Sequence, residues 1–275
     1  MTSFELSIGD TNKVIDVLAK SCGYDFHHYT FYPLKRSIER CMNNNNFRDA
    51  EILIRKLTHD KNFLDEFLKE VSVESTEMFR DPPFWRYLKE TTLPSLIKNT
   101  KDKINVWFPF CSSGDELYSF MILLKEAGLT ENFRISASGI CQSVLQNIKS
   151  GSFRAFKSVI STDNYKNFQG TATFENYFIQ KNGQAIRDAS LIAPVELFIQ
   201  SPDFRHSPKK NQLIIYRNKL IYFNQTRHDQ ALGFLHESLA ENGLLAIGIR
   251  EKIGTVHSVR YKAVFAEEGI YKKIG

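Results

Sequence analysis

The sequence predicts an α/β protein whose mostly parallel sheet follows an all-helical N-terminal part, on three observations. After residue 100, short apolar runs alternate with amphipathic helical stretches, the pattern of buried parallel strands covered on both faces. The first ninety residues contain helical periodicity instead, with no comparable strand-like run. Third, in "KINVWFPFCSSGDELYSFMILLKEAG" (103–128) an apolar run stops at Cys111-Ser112-Ser113-Gly114 and a helix with an acidic first turn, Asp115 and Glu116, follows. Strand, tight turn and helix is the geometry that turns backbone N–H groups toward a small ligand.

Taken in order, "TNKVIDVLAKSCG" carries apolar positions 14, 15, 17 and 18 and stops at Gly23. "YPLKRSIERCM" and "FRDAEILIRKL" are the next helices, separated by the polar "NNNNF". In "DKNFLDEFLKEV" Asp60 is a candidate N-cap and Phe63, Leu64, Phe67 and Leu68 the apolar stripe. "RDPPFWRYLKETTLPSLIKN" opens with Asp81 as cap and Pro82 at the first helical position. Strands are expected at "INVWFPF", "FRISAS", "VELFIQ", "QLIIY", "LLAIGIR", "VRYKAVFAE" and "GIYKKI". Helices are expected at 114–127, at "CQSVLQNIKSG" and over "QTRHDQALGFLHESLAENG", the last ending at Gly243. Asn182-Gly183 between two β-rich runs predicts an antiparallel hairpin, inserted at about 171–193. The expected boundaries are a helical domain and linker over 1–90 and an α/β domain over 91–275.

The formal charge of +5 divides as −2 over residues 1–90 and +7 over the rest, without a concentrated basic face, which argues against nucleic acid as partner. An anionic cofactor or an acidic protein substrate remains compatible. No apolar run of about 18 residues predicts membrane insertion, and no leader is visible, so a cytoplasmic location is expected. Cys22, Cys41, Cys111 and Cys141 form no CxxC pair, and Cys22 with His27 and His28 lacks a second pair of metal ligands, so no metal is expected. Lys35, Arg36 and Arg40 make a thin basic helix face.

Four segments in this order resemble the CheR-type chemotaxis-receptor methyltransferases. "SVESTEMFRDPPFW" (72–85) is similar to the family's N-V-T-E-M-F-R-D-P stretch, and "WFPFCSSGDELYS" (107–119) to its cofactor loop. "RISASGICQSVLQNIKSGSF" (134–153) and "LIIYRNKLIYFN" (213–224) match its A-[TS]-D-[IF] region and its Cys-Arg-Asn-Val-Leu-Ile-Tyr-Phe segment. The resemblance implies a class I, Rossmann-like methyltransferase domain with a small antiparallel β-subdomain behind a helical N-terminal domain. It implies S-adenosylmethionine as cofactor, methyl transfer to glutamate carboxylates, and a chemoreceptor-like or other signalling protein as partner.

Carried over position by position, the resemblance implies that Thr76 and Arg80 reach the cofactor's carboxylate end or the incoming glutamate. Glu116 would accept from the cofactor's amino group, Arg217 and Asn218 would contact the cofactor, and Tyr222 would stand near the reacting methyl. Arg80 and Tyr222 are thus the expected catalytic residues. Against these, Arg80 has an ion pair with Glu77 or Asp81 as its plain alternative, Glu116 a first-turn dipole role, and Tyr222 a place in the core. Four departures accompany the matches. Glu74 replaces a neutral amide, Phe110 a small residue and Gly139 the acid that holds the ribose, while Ser201-Pro202-Asp203 replaces His-Asn-Leu beside the adenine. Two functions follow: a protein-glutamate O-methyltransferase with an altered cofactor pocket, or a pseudo-methyltransferase serving as an interaction or regulatory module. On the first, Arg217→Ala is expected to abolish transfer without harm to the fold. On the second, Phe110→Gly with Gly139→Asp is expected to create cofactor binding.

Overall fold

The computed structural model describes residues 5–72, 76–201, 208 and 210–274; Glu74, Pro202 and Asp203, where departures are expected, lie outside the described residues. Four helices come first: α1 (Ile8–Cys22), α2 (Phe31–Asn44), α3 (Ala50–His59) and α4 (Lys61–Val71). The Ser7 hydroxyl, Asp49 and Asp60 carboxylates cap α1, α3 and α4, and Gly23 ends α1 in the left-handed conformation. Of the stripe expected on α4, Phe67 and Leu68 are buried while Phe63 and Leu64 are half-buried. α5 (Pro82–Tyr87) continues through a π turn into α6 (Leu93–Asn99).

The sheet is built from β1 (Ile104–Phe108), β2 (Phe133–Gly139), β5 (Glu196–Ile199), β6 (Asn211–Ile215), β7 (Leu239–Ala246), β8 (Tyr261–Phe265) and β9 (Ile270–Lys273). Its order is β5-β2-β1-β6-β7-β9-β8, parallel from β5 through β7 and antiparallel at β9 and β8. The crossover helices are α7 (Asp115–Glu126), α8 (Gln142–Lys149), α9 (Ser158–Phe168) and α10 (Gln225–Ser238). β3 (Phe178–Lys181) and β4 (Gln184–Arg187) form the expected hairpin around Asn182-Gly183, both of positive φ as its turn requires. α7 is buried from Asp115 to Leu124, which suits its near-continuous apolar sequence.

Two local expectations are corrected. α10 stops at Ser238, and "LAENGLLA" pairs as β7, so Gly243 lies within a strand. An irregularity in the β6–β7 register and the left-handed Asn242 absorb the extra residues there, which a helical reading of "LAENG" could not anticipate. Asp81 precedes Pro82 as expected but caps nothing: its carboxylate turns to Arg217 instead.

One apolar core runs from Val14, Leu18 and Ile38 in the N-terminal helices through Phe84 and Trp85 to Val106, Phe120 and Leu213 of the sheet domain. Polar contacts reinforce it. The N–H groups of Gln142 and Ser143, at the start of α8, donate to Asp65 Oδ1 and Oδ2 at 3.0 and 2.6 Å, so an acid of α4 caps a helix of the sheet domain. From the segment before α2, Thr30 N–H donates to the Tyr222 carbonyl at 2.7 Å and Tyr29 forms a bridge with Phe223. Asp65→Ala is expected to cost about 1 kcal/mol, the usual worth of such a cap, read as a lower denaturant midpoint. A midpoint unmoved by the substitution would contradict the capping role. No helix among the described residues is long and apolar enough to cross a membrane.

Candidate active site at the ends of the first and sixth strands

β1 and β6 are neighbours, and their C-terminal ends open side by side where open α/β sheets place their ligands. From β1 the chain enters the 109–114 loop. Phe110 there is left-handed, φ 52°. A phenylalanine in that conformation costs about 1 kcal/mol, which a small glycine would avoid. The strain is held by β2: Phe110 N–H donates to Ser138 Oγ at 3.1 Å and Cys111 N–H to the Ser138 carbonyl at 2.6 Å. Gly114, φ 79°, closes the turn, and an added Cβ would also press on Ile148.

From β6 the chain delivers Arg217, whose guanidinium is fully buried and stacked 4.0 Å from the Phe84 ring centroid. Its Nη2–H donates to Asp81 Oδ2 at 2.5 Å, and its Nη1–H to the Arg80 carbonyl at 3.2 Å. Trp85 Nε1–H donates to the same carbonyl at 2.8 Å. These contacts hold a turn in which both Phe79 and Asp81 have positive φ. Glu116 completes the cluster, 3.9 Å from Arg217 and 3.5 Å from Lys219. Among the described residues, Glu116 Oε1, Arg217 Nε and Thr76 Oγ1 are buried atoms that make no hydrogen bond.

The expected site residues therefore separate. Arg80, Glu116 and Arg217 come together. Arg80 keeps 28% of its side chain exposed and lies 3.9 Å from Glu77, whereas Arg217 exposes none of its own. Tyr222 is half-buried in the wall of a cavity of about 90 Å³, with Phe26, Tyr29, Phe110, Cys111 and Ile140. Asn218 does not join either group. Its N–H donates to Glu251 Oε2 at 2.9 Å, and its Oδ1 packs against Gly248. Glu251, also accepting from Gly248 and Ile221, organises this turn and carried no motif that could have pointed to it.

Gly139 ends β2, and any Cβ there would come within 2.8 Å of Leu145 and 2.9 Å of Val144. The space where the resemblance implies a ribose-binding acid is thus filled by the first turn of α8. Burial pushes the Glu77 carboxyl upward from its ordinary value, outweighing the pull of Arg80 and Lys157. A raised folded-state value stabilises below the unfolded carboxyl value and is lost as pH rises through the folded one. Glu77→Gln is therefore expected to gain stability relative to the parent as pH climbs from 4 to 7. Parallel melting curves for the two proteins across that range would contradict it.

A model of the CheR methyltransferase SAM-binding domain matches residues 74–270, and one of the CheR methyltransferase all-alpha domain matches residues 9–72. The chain belongs to the CheR methyltransferase family. A Pseudomonas putida protein carrying the methyltransferase name Cher3 is 31% identical over 99% of this chain and 100% of its own length. A chemotaxis protein methyltransferase of Listeria monocytogenes is 25% identical over 86% of this chain and 87% of its own. Among solved structures, the N-methyltransferase NodS of Bradyrhizobium japonicum, in complex with S-adenosyl-L-homocysteine, is similar at a TM-score of 0.40. With 12% identity over 77% of this chain and 98% of that one, it is too distant to support an argument.

The cofactor of this CheR domain is S-adenosylmethionine. The residues present fit its amino-acid half, because a buried carboxylate oxygen without a hydrogen bond, Glu116 Oε1, suits an ammonium group. The aromatic wall of Phe26, Tyr29, Phe110 and Tyr222 suits a purine ring. Position 139 offers no carboxylate for the ribose that the resemblance implies there.

Proposed function

We propose that this protein transfers a methyl group from S-adenosylmethionine to a glutamate carboxylate of a chemoreceptor-like signalling protein. The observation that carries the reading is the cluster of buried Arg217 and Glu116 with half-buried Asp81, which leaves Glu116 Oε1 without a hydrogen bond. Buried polar atoms are normally satisfied, so such an atom beside a ligand-binding loop points to a ligand group. When bound, the cofactor supplies an electrophilic methyl group, and displacement on it needs alignment more than acid or base help.

The residues divide the labour. Glu116 holds the ammonium end. Arg217 fixes the Arg80–Asp81 turn rather than meeting the substrate, since its guanidinium is enclosed. Arg80, partly exposed, is the cation an incoming carboxylate reaches. Tyr222, in the cavity wall, borders the acceptor's approach. Thr76 supplies a hydroxyl with no hydrogen bond among the described residues. Asn218 serves the cofactor only through the turn it shapes.

A second reading, a regulatory module that keeps the fold without transfer, is favoured by two observations. The cavity is about 90 Å³, well under the roughly 300 Å³ at which small-molecule pockets begin, and the ribose acid's place is filled. Calorimetric titration with S-adenosylhomocysteine separates them. A dissociation constant in the micromolar range, about −8 kcal/mol, is expected if the cleft opens for the cofactor. No heat at millimolar ligand would overturn the transferase reading and leave the regulatory one.

A further inference from the structure

Arg187 ends β4 at the base of the hairpin and is the only buried residue of either hairpin strand. Its Nη1–H donates to Asp115 Oδ1 at 2.8 Å, and its Nη2–H to the Ser113 carbonyl at 2.7 Å. Nη2–H also donates to the Ser152 carbonyl, and the backbone N–H of Arg187 to the Gly151 carbonyl at 2.8 Å. The guanidinium lies 4.3 Å from the Tyr118 ring centroid. Asp115 is buried too, and its Oδ2 takes Lys157 Nζ at 2.7 Å and Ser113 Oγ–H at 2.8 Å. The approach leaves no slack: an added Cβ at Gly151 would stand 2.1 Å from the Arg187 carbonyl oxygen.

Ser113 and Asp115 flank Gly114, the left-handed hinge of the cofactor loop. One planar fork from the hairpin thus grips the residue before the hinge and the residue after it. A guanidinium holds such a pair in fixed geometry, which an ammonium on a flexible stem cannot do. The rest of the hairpin is mostly exposed.

We propose that Arg187 is the positioning residue of the cofactor loop, so that the β-hairpin and the 113–115 turn move as one unit. The inference extends the proposed use of S-adenosylmethionine and rests on it only for its affinity readout. Displacing the hairpin base then misdirects the loop amides, and the loop's readiness for cofactor is set from outside the cleft.

The test compares the parent with Arg187→Lys, which keeps the charge and loses the fork. Asp115→Asn is a second variant if the first does not fold. Leu53→Ala serves as a control, because Leu53 is buried on α3, which packs against α1 and α4 away from the loop. Amide hydrogen exchange over 111–115 is followed without ligand, and S-adenosylhomocysteine affinity by titration. Arg187→Lys is expected to speed loop exchange and weaken binding, each by about tenfold. Asp115→Asn is expected to move both in the same direction, and Leu53→Ala, though it lowers the melting temperature, to move neither. Exchange and affinity in Arg187→Lys no different from the control would overturn the proposal. If the parent itself binds no S-adenosylhomocysteine, the cofactor reading fails, and loop exchange still decides whether Arg187 positions the turn.

Discussion

Arg217→Ala is expected to lower the stability of the folded chain by about 2–5 kcal/mol, from the lost packing of a buried side chain and its broken ion pair with half-buried Asp81, and to remove cofactor binding with it. In a chain of this size that is a fall of roughly 10 °C in melting temperature. The reasons are specific. The guanidinium is enclosed, donates to Asp81 and to the Arg80 carbonyl, and stacks on Phe84. Without it, Asp81 loses its partner and the turn with positive φ at Phe79 and Asp81 loses one of its clamps. The expectation that this variant spares the fold is therefore corrected by the burial of the side chain. Arg217→Lys is expected to recover only part of the loss, since an ammonium lacks the planar fork that spans both acceptors and stacks on Phe84. Thermal unfolding with parallel titration checks both variants. An Arg217→Ala protein that melts with the parent would remove Arg217 from the scaffold and return it to the substrate.

The second large effect is expected at Gly139. Gly139→Asp is expected to cost about 1–3 kcal/mol by overpacking, because its Cβ meets Val144 and Leu145 below any ordinary contact distance. Both obstacles are side-chain ends, so the cost falls if one is cut back. Gly139→Asp alone, or with Phe110→Gly, is expected to add little affinity while α8 fills the space. Adding Val144→Ala and Leu145→Ala to that pair clears both contacts and is expected to tighten S-adenosylhomocysteine binding by roughly ten- to a hundredfold, the worth of one charged hydrogen bond. A single Gly139→Asp variant that binds tightly at full stability would show that the strand end and α8 are not locked together.

Much of this was legible because it is local. Asp60 and Gly23 announce helix ends through groups that act on their own neighbours. Asn182-Gly183 announces its hairpin by the positive φ that its turn demands. The family's motifs located Arg80, Glu116 and Arg217 in chain order, and those three do gather. Their roles were less legible. Arg80 and Arg217 look alike in sequence, and only burial makes one a partly exposed cation and the other an internal clamp. Arg187, Asp65 and Glu251 carried no signal, since each acts on a segment distant in the chain or on backbone alone.

The sequence by itself determined the fold class, the helices and hairpin, and the membership that follows from four ordered motifs, because periodicity and turn chemistry are written into adjacent residues. Only the tertiary structure decided which charges are enclosed, that Val144 and Leu145 of α8 fill the space beside Gly139, and that Arg187 of the hairpin bonds to Ser113 and Asp115 on either side of Gly114. Those outcomes depend on close packing and desolvation between segments up to 137 residues apart, as between Arg80 and Arg217, and no local pattern encodes them.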